Sequence, residues 1–283
     1  MERRDGRCAG PRAGAHLYVL LQLTVSGRTP AWLSNLPLGP GVELIGHDPN
    51  GIVALSKPEG VLSHPNAAAD RSRSLLTAGY SLDGEYYSGM ADGQGGHKLY
   101  LLNRLDSGTS GVILAASGEA LARDIREQFK RRRIHKQYHA LVFGSTAPAV
   151  QVWRDRLSVR KQGGVIRTEA SGNIPSEAKV RVIRANPGNP PLALLQLEPR
   201  TGRSHQLRVQ CAHRHLPIVG DATYGDFRLN RDFIRRTGLK RLFLHSSETA
   251  FDYEWSGKTW RFTARAELPE AFDEALRGVG KGR

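Results

Sequence analysis

The stretch Leu101–Gly111, with the sequence LLNRLDSGTSG, joins an apolar run to a turn-forming cluster around one carboxylate, Asp106. A second apolar run, Val112–Ala116, follows at once. Two apolar runs separated by a Gly- and Ser-rich loop predict two strands, and binding or catalytic side chains tend to lie in such loops. Arg104 precedes Asp106 by two positions, so on extended backbone both side chains point to the same face. Taken alone, an Asp-Ser-Gly sequence is more often a surface turn.

The composition favours an anionic partner. The 283 residues include 41 Lys and Arg against 27 Asp and Glu, a formal net charge of +14. Such an excess indicates nucleic acid first and an anionic membrane second. No apolar run approaches the length of a membrane span, so we expect no transmembrane segment. Two cysteines, Cys8 and Cys211, cannot build a disulfide framework, so we expect a reducing, cytoplasmic location.

The chain divides into an irregular N-terminal arm over residues 1–45, one folded domain over 46–277, and a flexible basic tail over 278–283. Within the domain, the polar, Gly-rich residues 66–97 predict a short helix and a long loop. The polar residues 154–176 predict a connection without regular structure. Elsewhere, apolar periodicity predicts strands at 51–56, 112–116, 136–144, 178–183, 192–197, 241–245, 249–255 and 258–264.

Helical spacing is clearest where Leu121, Ile125 and Phe129 recur at four-residue intervals. A second helix is predicted from an N-cap at Ser204, and a closing helix over 268–276. Mostly antiparallel strands with a few helices, and no regular βαβ rhythm, predict an α+β fold with a central, mostly antiparallel mixed sheet and flanking helices.

The first helix ends in the basic run Lys130-Arg131-Arg132-Arg133. Cations in a last turn suit the helix dipole, and a charge run is usually a solvated face. Four consecutive basic residues exceed what capping requires, so we interpret the run as a contact to a phosphate backbone.

Other kinds of site are poorly supported. Neither Cys211, His213 and His215 nor His135 and His139 have the paired spacing of a zinc site, so no metal is predicted. The nucleophile elbow of a hydrolase needs a Gly two residues before the Ser, which Ser110 lacks. What remains is a carboxylate loop, a tyrosine on a strand and an arginine before a helix, in a basic protein.

These residues resemble the RluA-type pseudouridine synthases over roughly residues 50–265. The ordered blocks that carry the resemblance are 57–60 (KPEG), 104–111 (RLDSGTSG), 136–142 (KQYHALV), 201–209 (TGRSHQLRV), 217–221 (PIVGD) with 224–225 (YG), and 244–245 (LH). Several blocks in the family order make a specific match, whereas any one alone would be weak. The chain departs from the family at Asn103, where the family usually has His.

The resemblance implies the pseudouridine synthase fold, with a cleft across the sheet, and isomerisation of uridine to pseudouridine in RNA. It implies that Asp106 is the catalytic aspartate, that Tyr138 is the active-site tyrosine and that Arg203 is the arginine that pairs with the aspartate. An adjacent arginine would hold the carboxylate ionised. It would act on the ribose as nucleophile or as base, and no cofactor or metal is implied.

RNA is the partner that follows, either tRNA or rRNA, bound by a monomer. A target base must leave its stack, which costs about a few kcal/mol. Contacts to phosphates could offset this cost, and Arg104 could clamp the flipped nucleotide. The residues expected to bind RNA are Arg104, Arg131, Arg132, Arg133, Lys136 and Arg208. A non-catalytic RNA-binding protein on the same fold is the alternative; it would not need Asp106 and Tyr138 together with Arg203.

Overall fold

The computed structural model describes residues 29–90, 96–145, 150–162 and 165–278. Its strands are β1 (Glu43–His47), β2 (Ile52–Lys57), β3 (Gly79–Ser81), β4 (Tyr86–Met90), β5 (His97–Leu101), β6 (Ser110–Ala116), β7 (His135–Phe143), β8 (Gln151–Gln162), β9 (Val165–Asn186), β10 (Leu192–Pro199), β11 (Leu244–Trp255) and β12 (Lys258–Arg265). Its helices are α1 (Ala31–Ser34), α2 (Glu119–Lys130), α3 (Gln206–His213), α4 (Phe227–Thr237) and α5 (Ala271–Gly278), and a short 3₁₀ helix spans Ala68–Arg73.

The strands form one 12-stranded mixed sheet, in the order β3-β4-β5-β6-β11-β7-β10-β9-β8. Strand β2 pairs with β6 and with β1, and β12 pairs with β11. The pair of β6 and β11 is parallel, whereas the neighbouring pairs of β6 with β2 and of β11 with β7 are antiparallel. This mostly antiparallel sheet with flanking helices confirms the predicted α+β fold.

Gly111 permits the close approach of β6 to β11, its parallel neighbour at the centre of this sheet. Its φ of +110° lies in a region that L side chains rarely adopt, and a Cβ there would lie 2.1 Å from the carbonyl oxygen of Ser246. Only glycine fits both conditions. This pairing with β11 fixes the start of β6 directly after the loop that carries Asp106.

Helices cover the sheet through three apolar clusters. One joins α3, α4 and α5 to β7, β10 and β11, with Phe233, Phe243 and Phe272 in edge-to-face contact. Another packs α2 through Leu121 and Ile125 against β6 and β12. The third packs α1 and the segment after the 3₁₀ helix against β2, β4 and β5. Of the helices in the described ranges, none is long and apolar enough to cross a membrane.

Two segments predicted to lack strands are strands in the structure, and these predictions were wrong. Within residues 66–97, β3 and β4 form a hairpin that extends the sheet beside β5. Within 154–176, β8 and β9 form a long antiparallel hairpin at the other edge of the sheet. Helix α4 was not predicted, although Asp226 caps its start through bonds from two backbone amides and Gly238 ends it in a left-handed conformation.

The N-terminal boundary also differs from the prediction. Residues 1–28 of the predicted arm lie outside the described residues. The remainder joins the domain, because Leu33, Leu36 and Val42 are buried in the core and β1 begins at Glu43. The domain therefore begins before residue 45. At the other end α5 reaches Gly278, and the rest of the predicted tail lies outside the described residues.

Candidate active site

A cavity of about 890 Å³ opens beside the Asp106 loop. Sequence blocks that lie far apart meet there: the loop after β5, the outward end of β7 and the start of α3. Six of the nine predicted site residues line it, namely Arg104, Asp106, Lys136, Tyr138, Arg203 and Arg208. The other three, Arg131, Arg132 and Arg133, are exposed just beyond Phe129 of α2, which does line the cavity.

The Asp106 carboxylate is held by a braced loop and stays accessible, with 31% of its side chain exposed. Thr109 N donates to the carbonyl oxygen of Asp106 at 3.0 Å, which closes the turn. The carbonyl oxygen of Ser107 accepts from Gly60 N at 2.8 Å and from Lys57 Nζ at 3.0 Å. Residues 57–60, the KPEG block, thus hold the loop through its Ser107 carbonyl group.

Lys57 is a fully buried cation whose role the sequence did not reveal. Its Nζ donates to the carbonyl oxygens of Pro58, Val61 and Ser107 at 2.9, 2.8 and 3.0 Å. Three carbonyl acceptors use all three protons of an ammonium group. Burial lowers the pKa of Lys57 to about 7, against the opposing effect of Asp106 and Glu59. Through these contacts the buried amino group of Lys57 ties the Asp106 loop to the segment after β2.

The arginine paired with Asp106 is Arg208. Its Nη1 lies 3.0 Å from Asp106 Oδ2, while Nε and Nη2 form a bidentate pair with Asp221 at 2.7 and 2.8 Å. Burial disfavours the charged guanidinium, but Asp221 and Asp106 outweigh it and raise the pKa of Arg208. The hydrogen bonds of the Arg208 guanidinium go to the Asp106 and Asp221 carboxylates, and the group also lies 5.1 Å from the centre of the Tyr224 ring, so the structure gives Arg208 a role in holding Asp106, while its contact with RNA stays a prediction.

Arg203 does not pair with Asp106, which corrects the role that the resemblance gave it. Helix α3 begins at Gln206, so Arg203 precedes the helix and its side chain is exposed at the cavity rim. Its backbone N donates to Gln206 Oε1 at 3.2 Å. No carboxylate in the described ranges pairs with its guanidinium, which is left facing the cavity.

His205 is a second neighbour of the carboxylate that sequence reasoning missed. It occupies the N-cap position predicted for Ser204, in a left-handed conformation with φ of 54°. Thr168 N donates to Tyr224 Oη at 2.9 Å, and Tyr224 Oη lies 2.8 Å from His205 Nδ1. When the Tyr224 hydroxyl donates to Nδ1, the imidazole proton is on Nε2, which lies 3.8 Å from Asp106 Oδ2. Burial lowers the pKa of His205 despite the opposing charge of Asp106, so the ring is neutral at pH 7.

Tyr138 and Lys136 reach the cavity from alternate positions of β7, as the strand pattern predicted. Burial, with a further contribution from Asp106, raises the pKa of Tyr138, so its phenol keeps its proton at neutral pH. Burial lowers the pKa of Lys136 to about 8, and its Nζ lies 3.4 Å from the carbonyl oxygen of Thr201.

Asn103 has a structural role that explains why it can stand where the family has His. Its Oδ1 accepts from Leu114 N at 2.7 Å, which continues the contact between the end of β5 and β6. A histidine ring nitrogen is also an acceptor, so either residue can fill this position. Next to it, the exposed Arg104 lies 3.7 Å from Glu85 on the β3–β4 turn.

The comparisons agree with this geometry. The family model described as RNA pseudouridylate synthase matches residues 51–213. This chain belongs to the RNA pseudouridylate synthase family. It is 32% identical to the tRNA pseudouridine synthase C of Yersinia pestis over 241 residues, which cover 81% of this chain and 88% of that protein. It is 34% identical to the ribosomal large subunit pseudouridine synthase C of Vibrio vulnificus over 155 residues, 55% of this chain and 48% of that protein.

Among solved structures, the human RNA pseudouridylate synthase domain containing 4 aligns with a TM-score of 0.60 at 23% identity, over 83% of this chain and 92% of that chain. The pseudouridine synthase fold and the RluA-type resemblance are thereby confirmed. As a member of this family, the chain is an isomerase that converts uridine to pseudouridine, and RNA is its macromolecular partner.

Proposed function

We propose that this pseudouridine synthase modifies tRNA and that Asp106 is its catalytic carboxylate. The observation that carries the proposal is the pairing of a partly exposed Asp106 with a buried arginine in the lining of a cavity of about 890 Å³. Support for tRNA comes from the relatives: the tRNA enzyme of Yersinia pestis matches along most of both chains, whereas the ribosomal enzyme of Vibrio vulnificus matches about half of each.

The reaction rearranges uridine without adding or removing atoms. The N1–C1′ bond breaks, the uracil turns, a C5–C1′ bond forms, the proton on C5 leaves and N1 gains one. Asp106 acts on the ribose as nucleophile or base. Arg208 and the Nε2–H of His205 keep its negative charge directed at the cavity, since both face Oδ2. The buried ion pair with Asp221 prevents Arg208 from turning away.

Tyr138 contributes as a neutral phenol. With its pKa raised by burial, the phenol can stack on the uracil and orient it. It can accept the C5 proton only if it gives up its own hydroxyl proton. Arg203 and Arg104, both exposed at the cavity, contact the phosphates or the space that the flipped base leaves. Lys136 and the exposed Arg131, Arg132 and Arg133 add phosphate contacts.

The test is to incubate the protein and its Asp106→Asn variant with unmodified tRNA and rRNA transcripts. After digestion to nucleosides, pseudouridine is separated from uridine, which has the same mass, by chromatography. We expect pseudouridine from tRNA with the wild type and none with Asp106→Asn, which should still bind the transcript. Asp252→Asn, an exposed carboxylate paired with Arg261 on the β11–β12 hairpin, is the matched control.

Pseudouridine formed in rRNA and not in tRNA would show that rRNA is the substrate class. Pseudouridine formed by Asp106→Asn would show that Asp106 is not the catalytic carboxylate. RNA binding without isomer from any transcript would favour the alternative, a non-catalytic RNA-binding protein on the same fold.

We also propose that the protein acts as a monomer in the cytoplasm, where RNA substrates of this class are available. One chain brings Asp106, Tyr138 and Arg208 together at the cavity, which supports a monomer. Light scattering of the protein, alone and with tRNA, should give the mass of one chain and of one chain per tRNA.

A further inference from the structure

The lining of the cavity includes an aromatic ring, that of His64, which the isomerisation chemistry does not use. Asn66, two residues after His64, and Leu82, two residues after Tyr80, line the cavity as well. The imidazole of His64 stacks on the ring of Tyr80, with centroids 4.8 Å apart and an angle of 7° between the planes. Tyr80 does not line the cavity, so it lies behind His64. One face of the imidazole is therefore covered, and the half-buried ring borders the open space.

The stack is held rigidly. Tyr80 meets the ring of the fully buried Tyr87 at a steep angle, with centroids 4.8 Å apart. Tyr87 Oη donates to the carbonyl oxygen of Ser63, the residue before His64, at 2.8 Å. The Nδ1 of His64 donates to the carbonyl oxygen of Pro65 at 3.2 Å, since a carbonyl can only accept. The ring orientation is thus set before any ligand arrives.

The same segment is attached to the catalytic loop. Ser63 Oγ donates to the carbonyl oxygen of Leu105 at 2.8 Å and accepts from Leu105 N at 3.0 Å. His64 and Asp106 are the next residues on the two sides of this double contact. A base on His64 and a ribose at Asp106 would therefore occupy fixed positions in one cavity.

The rim beside His64 suits a base rather than a phosphate. Leu82 lines the cavity with 60% of its surface exposed and so offers an apolar contact to a ligand. Asn66 is exposed as well, and its side-chain amide can both donate and accept hydrogen bonds. Unpaired RNA bases bind proteins by stacking on aromatic rings, histidine included, and by hydrogen bonds to their edges.

We propose that His64, backed by Tyr80, is the stacking platform for an unpaired base that neighbours the target uridine. Turning the target uridine out of its stack breaks its contact with that neighbour, and the platform replaces it. His64 is then a substrate-binding residue that selects RNA with an unpaired nucleotide beside the target. The inference rests on the proposed RNA modification at Asp106 and adds a second position to the bound RNA.

The experiment uses a stem–loop RNA whose single-stranded loop holds one uridine flanked on both sides by 2-aminopurine, a base whose fluorescence falls on stacking. Binding is measured at pH 8 in the Asp106→Asn background, so that no turnover is needed. We expect that background protein to quench the probe. Adding His64→Ala should weaken binding by about five-fold to about a hundred-fold, the range found for loss of one base stack, and remove the quench. His64→Phe should restore both.

Two further readouts separate stacking from a structural effect. In the otherwise wild-type protein, His64→Ala should raise KM for RNA and leave kcat unchanged, because the contact exists before and during the reaction. The matched control is His213→Ala, an exposed histidine at the end of α3 that does not line the cavity. The thermal unfolding of each variant shows that it is folded.

Unchanged affinity and quench in His64→Ala would overturn the proposal, as would failure of His64→Phe to restore them. A loss of kcat with unchanged affinity would assign His64 to support of the Asp106 loop instead. Failure of the proposed function gives a different pattern, because a protein that makes no pseudouridine can still show the quench and its loss.

Discussion

Arg208 and Asp221 form a bidentate ion pair in which Nε–Oδ2 and Nη2–Oδ1 are 2.7 and 2.8 Å apart. Asp221 is 1% exposed and also accepts from the backbone N of Thr223 and Tyr224. The pair fixes the plane of the guanidinium, which leaves Nη1 directed at Asp106. The ion pair with Asp221 therefore determines the direction of the contact between Arg208 and Asp106.

Arg208→Met should be inactive and less stable by about 3–5 kcal/mol, since it leaves the buried Asp221 carboxylate without its cation. Arg208→Met combined with Asp221→Asn should recover most of that stability, because no unpaired charge remains, but should stay inactive. Denaturant unfolding and the pseudouridine assay measure the two effects. Arg235→Met on the exposed face of α4 is the control. Activity in the double variant would show that Asp106 does not need this cation.

Asn103→Leu should lower the free energy of unfolding by about 1–3 kcal/mol, because Leu114 N loses its acceptor in a buried strand. Asn103→His, which restores the family residue, should be close to the wild type in stability and turnover. Denaturant unfolding of the two variants side by side provides the comparison. Equal stability of the leucine and histidine variants would contradict the proposed role of the amide oxygen.

Lys57 gives the stability of the protein a distinct pH dependence. Burial lowers its pKa from 10.5 to about 7, so between these values the unfolded chain binds a proton that the folded chain has released. The free energy of unfolding should therefore increase as the pH rises from about 7 to 10.5. This contribution of Lys57 is lost again when the pH falls to about 7. Lys57→Met should show a smaller slope, to which the lowered pKa of Lys136 still contributes, whereas Lys258→Met, an exposed lysine on β12, should retain the full slope.

Lys57→Met should also lower kcat more than it raises KM, since Ser107 loses a donor and the Asp106 loop loosens while the RNA contacts remain. Parallel slopes of stability against pH in Lys57→Met and the wild type would show that this lysine keeps its proton throughout.

The basic run after α2 should control the salt dependence of RNA binding. Replacing Arg131, Arg132 and Arg133 by Ala should reduce the slope of log K against log salt by about 2 to 3, if each contacts one phosphate. Filter binding of tRNA over a range of KCl concentrations measures the slope. Removing three exposed arginines of α4, Arg228, Arg231 and Arg235, is the charge-matched control. An equal change in both triple variants would indicate a general effect of net charge.

Sequence reasoning succeeded where one face of an element is buried. In α2, Leu121 and Ile125 are buried at the predicted spacing, and the whole second half of β7 is buried. It failed for β8 because the inward positions are not all apolar. Asp155 lies between the buried Trp153 and Leu157 and accepts hydrogen bonds from Gln210 of α3 and from Arg214, the residue directly after that helix. No alternation of apolar and polar residues marks such a strand.

The choice between two arginines shows a limit of another kind. Arg203 and Arg208 belong to one block, and the resemblance assigned the pairing with Asp106 to Arg203, whereas the structure gives it to Arg208. The decision depends on where α3 begins, because a residue before the helix points outward and one in its first turn faces the sheet. Helix ends shift by one or two residues between prediction and structure. The loop with Asp106 and the strand with Lys136 and Tyr138 do border the cavity, as their local turn and alternation patterns predicted.

Gly111 limits how this enzyme can change its substrate. Because any side chain there would collide with the backbone of Ser246, selection for a new RNA target cannot proceed through that position without separating β6 from β11. The residues around His64, Leu82 and Arg203 carry no such constraint. Laboratory evolution toward other uridines should therefore accumulate substitutions at the cavity rim and leave residues 107–111 unchanged.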